Sequence, residues 1–569
     1  MYETQPNKVI NAFMDPALPT MAQLVENISA DKSIPIIRRR HMTSAIRRFC
    51  AALGYDPAQV PANHSYFRQR LKRFHPLEAG VSKKRWQTIK SDVTAALALK
   101  GISKGQTRGL APISPEWMAL KATVVTERYN WGFYRLARFS SNKGLTPAQV
   151  SDEVLALFAA AMREETFKTN IDRLMRDLCV QWNRLAAVPG AGLKPVTLPS
   201  HRKWLTAPWE SLPKAFQADT DAFLAEMSAA IDPFSETGPI KPLRPESIKA
   251  YRYIIRRCHS ALISVGIPAE AITSLQVLVD NAKAILEHFF HLNGKKKTST
   301  VHGIAHVLYL IAGPGGRATE SAAEKIKRYR AGLAPPRDGM RNKPRTRLRP
   351  FSDKANIEKI LCLPAKIYAR LRGKSEFAIA DARLMQVAVG LELLLMRPIR
   401  RKNLVQLRLG ENIIRSGRET FIHLPRDEVK NDIELDYKIP RESGELLEFY
   451  IKKLLPLFGA NPQGWLFPGE KEGKPKSGEQ FGRYFTKTIQ NLTGIYLYPH
   501  LTRHFAALVY LQENPGAFEI VRRLLAHKSL TTTTRSYASF DDDAAVRLYD
   551  QLIIRIRDSI GEGAENEQA

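Results

Sequence analysis

Two stretches near the C-terminus decide how the rest of the chain is read: YPHLTRHFAALVYL at 498–511 and LLAHKSLTTTTRSYASF at 524–540. In the first, His500 and Arg503 stand three residues apart and share one face at the start of a helix. In the second, Tyr537 follows His527 by ten residues. Upstream, IADARLMQVAVGLELLLM from Ile379 reads as a long apolar helix that Pro398 breaks. Arg400 sits at that junction, where a side chain can project from a core into a cleft. The following RKNLVQLRL continues as a short helix carrying Leu404, Leu407 and Leu409. From Glu411 to Pro440 the pattern shifts to strand-like alternation and predicts a β-hairpin turning near Lys430, Asn431 and Asp432.

Singly these residues say little, since a lone buried histidine or tyrosine is ordinarily structural. Their order is informative: Arg400, Lys430, His500-x-x-Arg503, His527, Tyr537. On these residues the region 350–555 resembles the tyrosine recombinases, the integrase-type enzymes that break and rejoin DNA. PIRRKNLVQLRL resembles the family's first-arginine motif, with Asn403 where many members carry Glu. VKND resembles the turn that presents the lysine, and HLTRH the His-x-x-Arg motif. LLAHKSLTTTTRSY resembles the segment that ends at the nucleophile, with Ala526 where Gly is usual and a histidine-to-tyrosine spacing one residue longer than in many members.

The resemblance implies a mixed α/β catalytic domain and a defined chemistry. Tyr537 is the expected nucleophile, with Tyr549 a distant second. A phenol is a weak nucleophile until its proton is accepted and the phosphate charge is offset. Arg400 and Arg503 are expected to clamp the non-bridging oxygens, with His527 as a further donor. His500 is the expected base beside the tyrosine, and Lys430 the acid for the leaving 5′ hydroxyl. The energy of the broken bond is kept in a 3′-phosphotyrosyl link, so neither ATP, nor a cofactor, nor a metal is expected. A type IB topoisomerase, which uses nearly the same residues, and a non-catalytic DNA-binding protein on the same fold remain as alternatives.

The bulk composition agrees with a DNA partner. The chain has 569 residues, with 86 Lys and Arg against 56 Asp and Glu, a net charge of +30. Such a surplus attracts polyanions. Cys50, Cys179, Cys258 and Cys362 form no CxxC pair, so neither a zinc site nor a disulfide framework is expected. No apolar run has membrane-spanning length and MYETQPNKVINAFMD is no secretory signal, so a cytoplasmic, bacterial, nucleoid-associated protein is expected.

Up to about residue 400 the pattern is helical. A weak repeat recurs at 44–61, 134–151 and 251–272: a basic amphipathic helix, then Gly54, Gly144 or Gly266, then Pro-Ala-(Gln/Glu). It predicts a mainly α N-terminal half of tandem DNA-binding modules, at 1–112, 113–237 and 238–316. A basic linker at 317–352 is expected to follow, then the catalytic domain at 353–555 and a disordered tail at 556–569. Candidate phosphate contacts are the clusters Arg38, Arg39, Arg40; Lys83, Lys84, Arg85; and Lys295, Lys296, Lys297. The linker adds Arg341, Lys343, Arg345, Arg347 and Arg349; between Lys325 and Arg349 ten basic residues face one acid. The expected partners are double-stranded DNA with specific recombination sites, further copies of the chain (a dimer on one site, a tetramer in synapsis) and accessory bending or directionality factors. Tyr549, Leu552, Ile553, Ile556 and Ile560 form a stripe that could dock on a neighbouring protomer or on their own domain.

Overall fold

Gly54, Gly144 and Gly266 punctuate the N-terminal half in the same way. Each sits in the left-handed region, at φ of +76°, +68° and +98°, a conformation that glycine adopts without steric cost. Each follows a long helix: α2 (Ile36–Leu53), α6 (Glu127–Asn142) and α10 (Pro245–Ser264). Each is followed by a single 3-10 turn, at Pro57–Gln59, Pro147–Gln149 and Ala269–Ala271. The molecule is described by a computed structural model covering residues 18–556, except 73, 103–112, 123–126, 200–205, 230–241, 314–315, 337–338, 341, 418, 472, 539 and 541–548.

The chain divides into two compact units, Pro199–Asp338 and the segments on either side of it. In the larger unit, α1 (Met21–Ala30), α2, α3 (His64–Leu71) and α4 (Lys83–Leu99) enclose an aromatic core. There Phe49 packs against Phe67, Trp86 and Phe167 at 5.1, 5.4 and 4.8 Å between ring centres. A second core is built by α5 (Pro115–Ala122), α6, α7 (Asp152–Glu165) and α8 (Ile171–Ala186) around Trp117, Phe133 and Trp182. Both buried indoles find acceptors, at the Leu145 and Lys194 carbonyls, as a buried N–H requires.

The Pro199–Asp338 unit has one continuous core, from Leu212 to Ile326. It is formed by α9 (Lys214–Glu226), α10, α11 (Leu275–Asp280), α12 (Ala282–Leu292), α13 (Ser299–Ala312) and α14 (Glu320–Gly332). Two expected boundaries shift in consequence. Helix α9, placed by sequence in the second module, packs with α10–α14. The expected linker also carries ordered helices. Ile326 of α14 is buried and Tyr329 and Leu333 pack on the core, an apolar stripe at helical spacing whose outer face is filled by Lys and Arg. Arg317 is tied to Asp219 at 3.0 Å. Next, α15 (Asn342–Leu348) buries Leu348 in the C-terminal core and sets Arg347 over the Tyr496 ring at 4.0 Å. Arg341, Ile560 and the tail from 557 lie outside the described residues.

The C-terminal region continues with α16 (Lys354–Leu361), α17 (Leu363–Arg372), α18 (Ile379–Met396) and α19 (Arg401–Val405). Helix α18 is buried almost all round, as its uninterrupted apolar sequence demands. Gly390 allows Phe481 of α21 (Gly478–Thr493) to close on it, since a Cβ there would lie 2.5 Å from the Phe481 ring. The single expected hairpin is a three-stranded antiparallel sheet, β1 (Ile413–Ser416), β2 (Glu419–Leu424) and β3 (Leu435–Lys438), in sequential order. Gly417, at φ +60°, makes the first turn. The second connection holds a 3-10 turn, Arg426–Glu428, and then the turn bearing Lys430, with Asp432 at φ +54°. Helix α20 (Arg441–Phe449) backs the sheet, and α22 (Leu501–Glu513), α23 (Phe518–Leu524) and α24 (530–538) complete the region. Among the described residues no helix is long and apolar enough to cross a membrane.

Candidate active site

Four short segments converge on Tyr537: the break before α19, the start of α22, the link between α23 and α24, and α24 itself. Their clamp is Arg503. It is 5% exposed and donates to the Pro398 carbonyl and, at 2.6 Å, to the Leu525 carbonyl. One guanidinium thereby fixes α22 against the segment preceding Arg400 and the segment preceding His527. Arg400 is the N-cap residue of α19 and is half-buried. Among the described residues, it has no hydrogen-bond acceptor.

Tyr537 is 2% exposed. Its ring lies parallel to His527, with centres 6.4 Å apart and 4° between planes. Phe540 packs beside it at 5.6 Å. The Tyr537 hydroxyl is 3.0 Å from Nδ1 of His504. His504, and not His500, is therefore the imidazole at the phenol. His500 stands one turn earlier at the exposed rim of α22, its ring perpendicular to that of His504 with centres 5.3 Å apart. Sequence reasoning passed over His504, although it lies inside HLTRH; the available signal was that His500 and His504, four apart, occupy the same helical face. His527 is oriented by Thr533, whose buried hydroxyl is 3.0 Å from Nδ1.

Lys430 is exposed on the β2–β3 turn, and neighbouring bonds tie that turn to the site. Asn431 donates to the Ala526 carbonyl at 2.6 Å, and Lys528 faces Asp432 at 3.6 Å. Buried Asn403 donates to the Glu428 carbonyl at 2.9 Å, so this residue anchors the same turn from the α19 side. Tyr549 is 63% exposed. The structure brings Arg400, His500, Arg503, His527 and Tyr537 together, with Lys430 on the adjoining turn. Of the surface clusters, Lys83, Lys84 and Arg85 are exposed at the start of α4, and Lys295, Lys296 and Lys297 on the α12–α13 loop. Arg38 and Arg39 are engaged locally, with Asp92 at 2.7 Å and the Ser29 carbonyl at 2.9 Å, while Arg40 is exposed. Lys343, Arg345 and Arg349 are exposed around α15.

The electrostatics are one-sided. Burial, then Arg400, draws Arg503 down to about 10. Burial also lowers Arg400. His527 falls to about 4 through burial and then Arg503 and Arg400. His504 falls to about 4 through burial and then His500, Arg503 and His527. His500 keeps an accessible edge, but the protein around it, then Arg503, Arg400 and Arg401, hold it below the usual histidine range. Burial pushes Tyr537 up to about 12, with Arg503 opposing. Among the described residues no carboxylate pairs with Arg400, His500, Arg503 or His527, and no group of three or more His, Cys, Asp or Glu is placed to hold a metal. The arrangement is a partly buried nest of guanidiniums and imidazoles.

No protein-family model matches the chain, and no curated protein matches it in sequence. Solved structures do. A XerH site-specific recombinase bound to palindromic difH substrate, a post-cleavage complex, matches at 14% identity and a TM-score of 0.34, over 54% of this chain and 79% of that one. XerH in a pre-cleavage complex with difH matches at 14% and 0.29, over 58% and 95%. XerA recombinase matches at 16% and 0.24, over 54% and 92%. All three solved structures are of recombinases.

Proposed function

We propose that this chain is a site-specific DNA recombinase of a mobile element, cleaving and rejoining strands through a 3′-phosphotyrosyl intermediate. The observation that carries the reading is the cation nest beside a tyrosine. Half-buried Arg400 and buried Arg503 lie with His500 and His527 around Tyr537, and among the described residues no carboxylate pairs with them. Uncompensated buried charge is costly, and a phosphodiester supplies the missing negative charge.

Arg400, Arg503 and His527 offset the charge that develops on the non-bridging oxygens as the Tyr537 oxygen bonds to phosphorus. The bond from phosphorus to the 5′ oxygen breaks, and Lys430 gives that oxygen a proton. The exposed turn that carries Lys430 suits a group that must meet a leaving strand. Rejoining is the reverse, with a different 5′ hydroxyl as the attacking group.

The test uses the full chain and labelled duplexes that contain a randomised segment and a nick, so that a cleaved strand is lost and the covalent complex is trapped. A slow-migrating band on a denaturing gel for wild type, absent for Tyr537→Phe, is expected. A band in both moves the nucleophile elsewhere, with Tyr549 next; no band in either overturns strand cleavage.

A further inference from the structure

We propose that His504, rather than His500, takes the proton of Tyr537, and that it does so when a phosphate occupies the neighbouring cation nest. The inference rests on the strand-cleavage reading. Its geometry is direct. The 3.0 Å separation between the Tyr537 hydroxyl and Nδ1 of His504 lies within the reach of a general base. The tyrosine is 2% exposed, so bulk water does not compete for the proton. His500 is exposed at the rim and suits a hydrogen bond to phosphate.

The nest explains why the proton stays on the tyrosine until a phosphate binds. His504 is faced by His500 and Arg503 from its own helix and by His527 from the α23–α24 link, with Arg400 behind Arg503. Against this one-sided field the imidazole stays neutral. A phosphate bound among these cations cancels much of the field and raises the proton affinity of His504. As the Tyr537 oxygen bonds to phosphorus, its O–H bond breaks and the hydrogen bonds to Nδ1. The 5′ oxygen leaves with the Lys430 proton, and rejoining returns both protons. Activation of the nucleophile is thus coupled to occupancy, and the enzyme carries no free tyrosinate between encounters.

The experiment compares rates of covalent trapping on the nicked, randomised duplexes for wild type, His504→Asn, His504→Ala and His500→Ala. Asparagine keeps an acceptor near the position of Nδ1 but takes no proton at neutral pH, so it preserves a merely structural contact. Both His504 variants are expected to slow trapping by about 100-fold or more, with melting temperatures confirming that they fold. Free imidazole is expected to restore part of the rate to His504→Ala and none to His500→Ala. A duplex with sulfur in place of the bridging 5′ oxygen, whose departure needs no proton, is expected to rescue Lys430→Ala but not His504→Asn. A wild-type rate for His504→Asn, or imidazole rescue at position 500 instead, overturns the assignment while leaving the cleavage reading intact. Absence of any Tyr537-dependent complex in wild type overturns both.

Discussion

The basic cluster at the start of α4 and the cation nest around Tyr537 use similar residue types under opposite conditions. Lys83, Lys84 and Arg85 are exposed, so water solvates them at little cost to the fold. Arg503 is buried and Arg400 half-buried, and among the described residues no acid pairs with either. The first arrangement acts at long range and is screened by salt. The second persists only because the surrounding core holds it in place. An exposed charge run is thus weak evidence for a ligand, whereas enclosed cations without a counter-ion point to one strongly.

The largest effects test that contrast inside the nest itself. Arg503 has two carbonyls to satisfy, while Arg400 has no acceptor among the described residues. Arg503→Ala is expected to abolish trapping and also to cost about 3 kcal/mol of stability, from two buried acceptors left unsatisfied at about 1–3 kcal/mol each. Arg400→Ala is expected to slow trapping by about 10²–10³-fold while leaving the urea midpoint of the free chain unchanged or raised. Equal destabilisation by the two substitutions would break the argument that Arg400 is held for a ligand rather than for the fold.

The candidate site residues were legible in the sequence because each stands in a short local pattern with a distinctive neighbour. His504 was not, because the motif is read as His-x-x-Arg and the contact that singles out His504 comes from Tyr537, thirty-three residues away. Asn403 looked like a departure from pattern; only its bond to the Glu428 carbonyl shows what it does. The stretch from Lys325 to Arg349 was misread for a related reason. Its charge density suggested a basic linker and drew attention away from Ile326, Tyr329 and Leu333, whose spacing is that of a helix packed on a core. The repeat of Gly54, Gly144 and Gly266 was legible because glycine after an amphipathic helix is a local backbone signal that needs no tertiary information.

At the solvent end of the comparison the expected effect is smaller and of another kind. Replacing Lys83, Lys84 and Arg85 together by alanine is expected to weaken binding to the duplex pool and to reduce the slope of log K against log salt by up to about 2.7, at about 0.9 per phosphate contact. The trapping rate at saturating DNA is expected to stay at the wild-type value. An unchanged slope would remove this cluster from the DNA-contacting surface and leave it a solvated helix start.

The smallest effect concerns Ala526, whose backbone is left-handed at φ +49° immediately before His527. An alanine there costs about 1–2 kcal/mol that glycine would not. Glycine, however, forfeits about 0.5–1 kcal/mol through the freedom of the unfolded chain and about 0.8 kcal/mol from the lost buried methyl. Ala526→Gly is therefore expected to shift stability by less than about 1 kcal/mol, and the Ala526 carbonyl still accepts from Asn431 to hold the Lys430 turn. Ala526→Val places a β-branched side chain in the same conformation and is expected to be clearly destabilising by urea unfolding. If the glycine variant instead trapped DNA ten times more slowly at unchanged stability, the methyl group itself, rather than the backbone turn, would be setting the position of His527 against Tyr537.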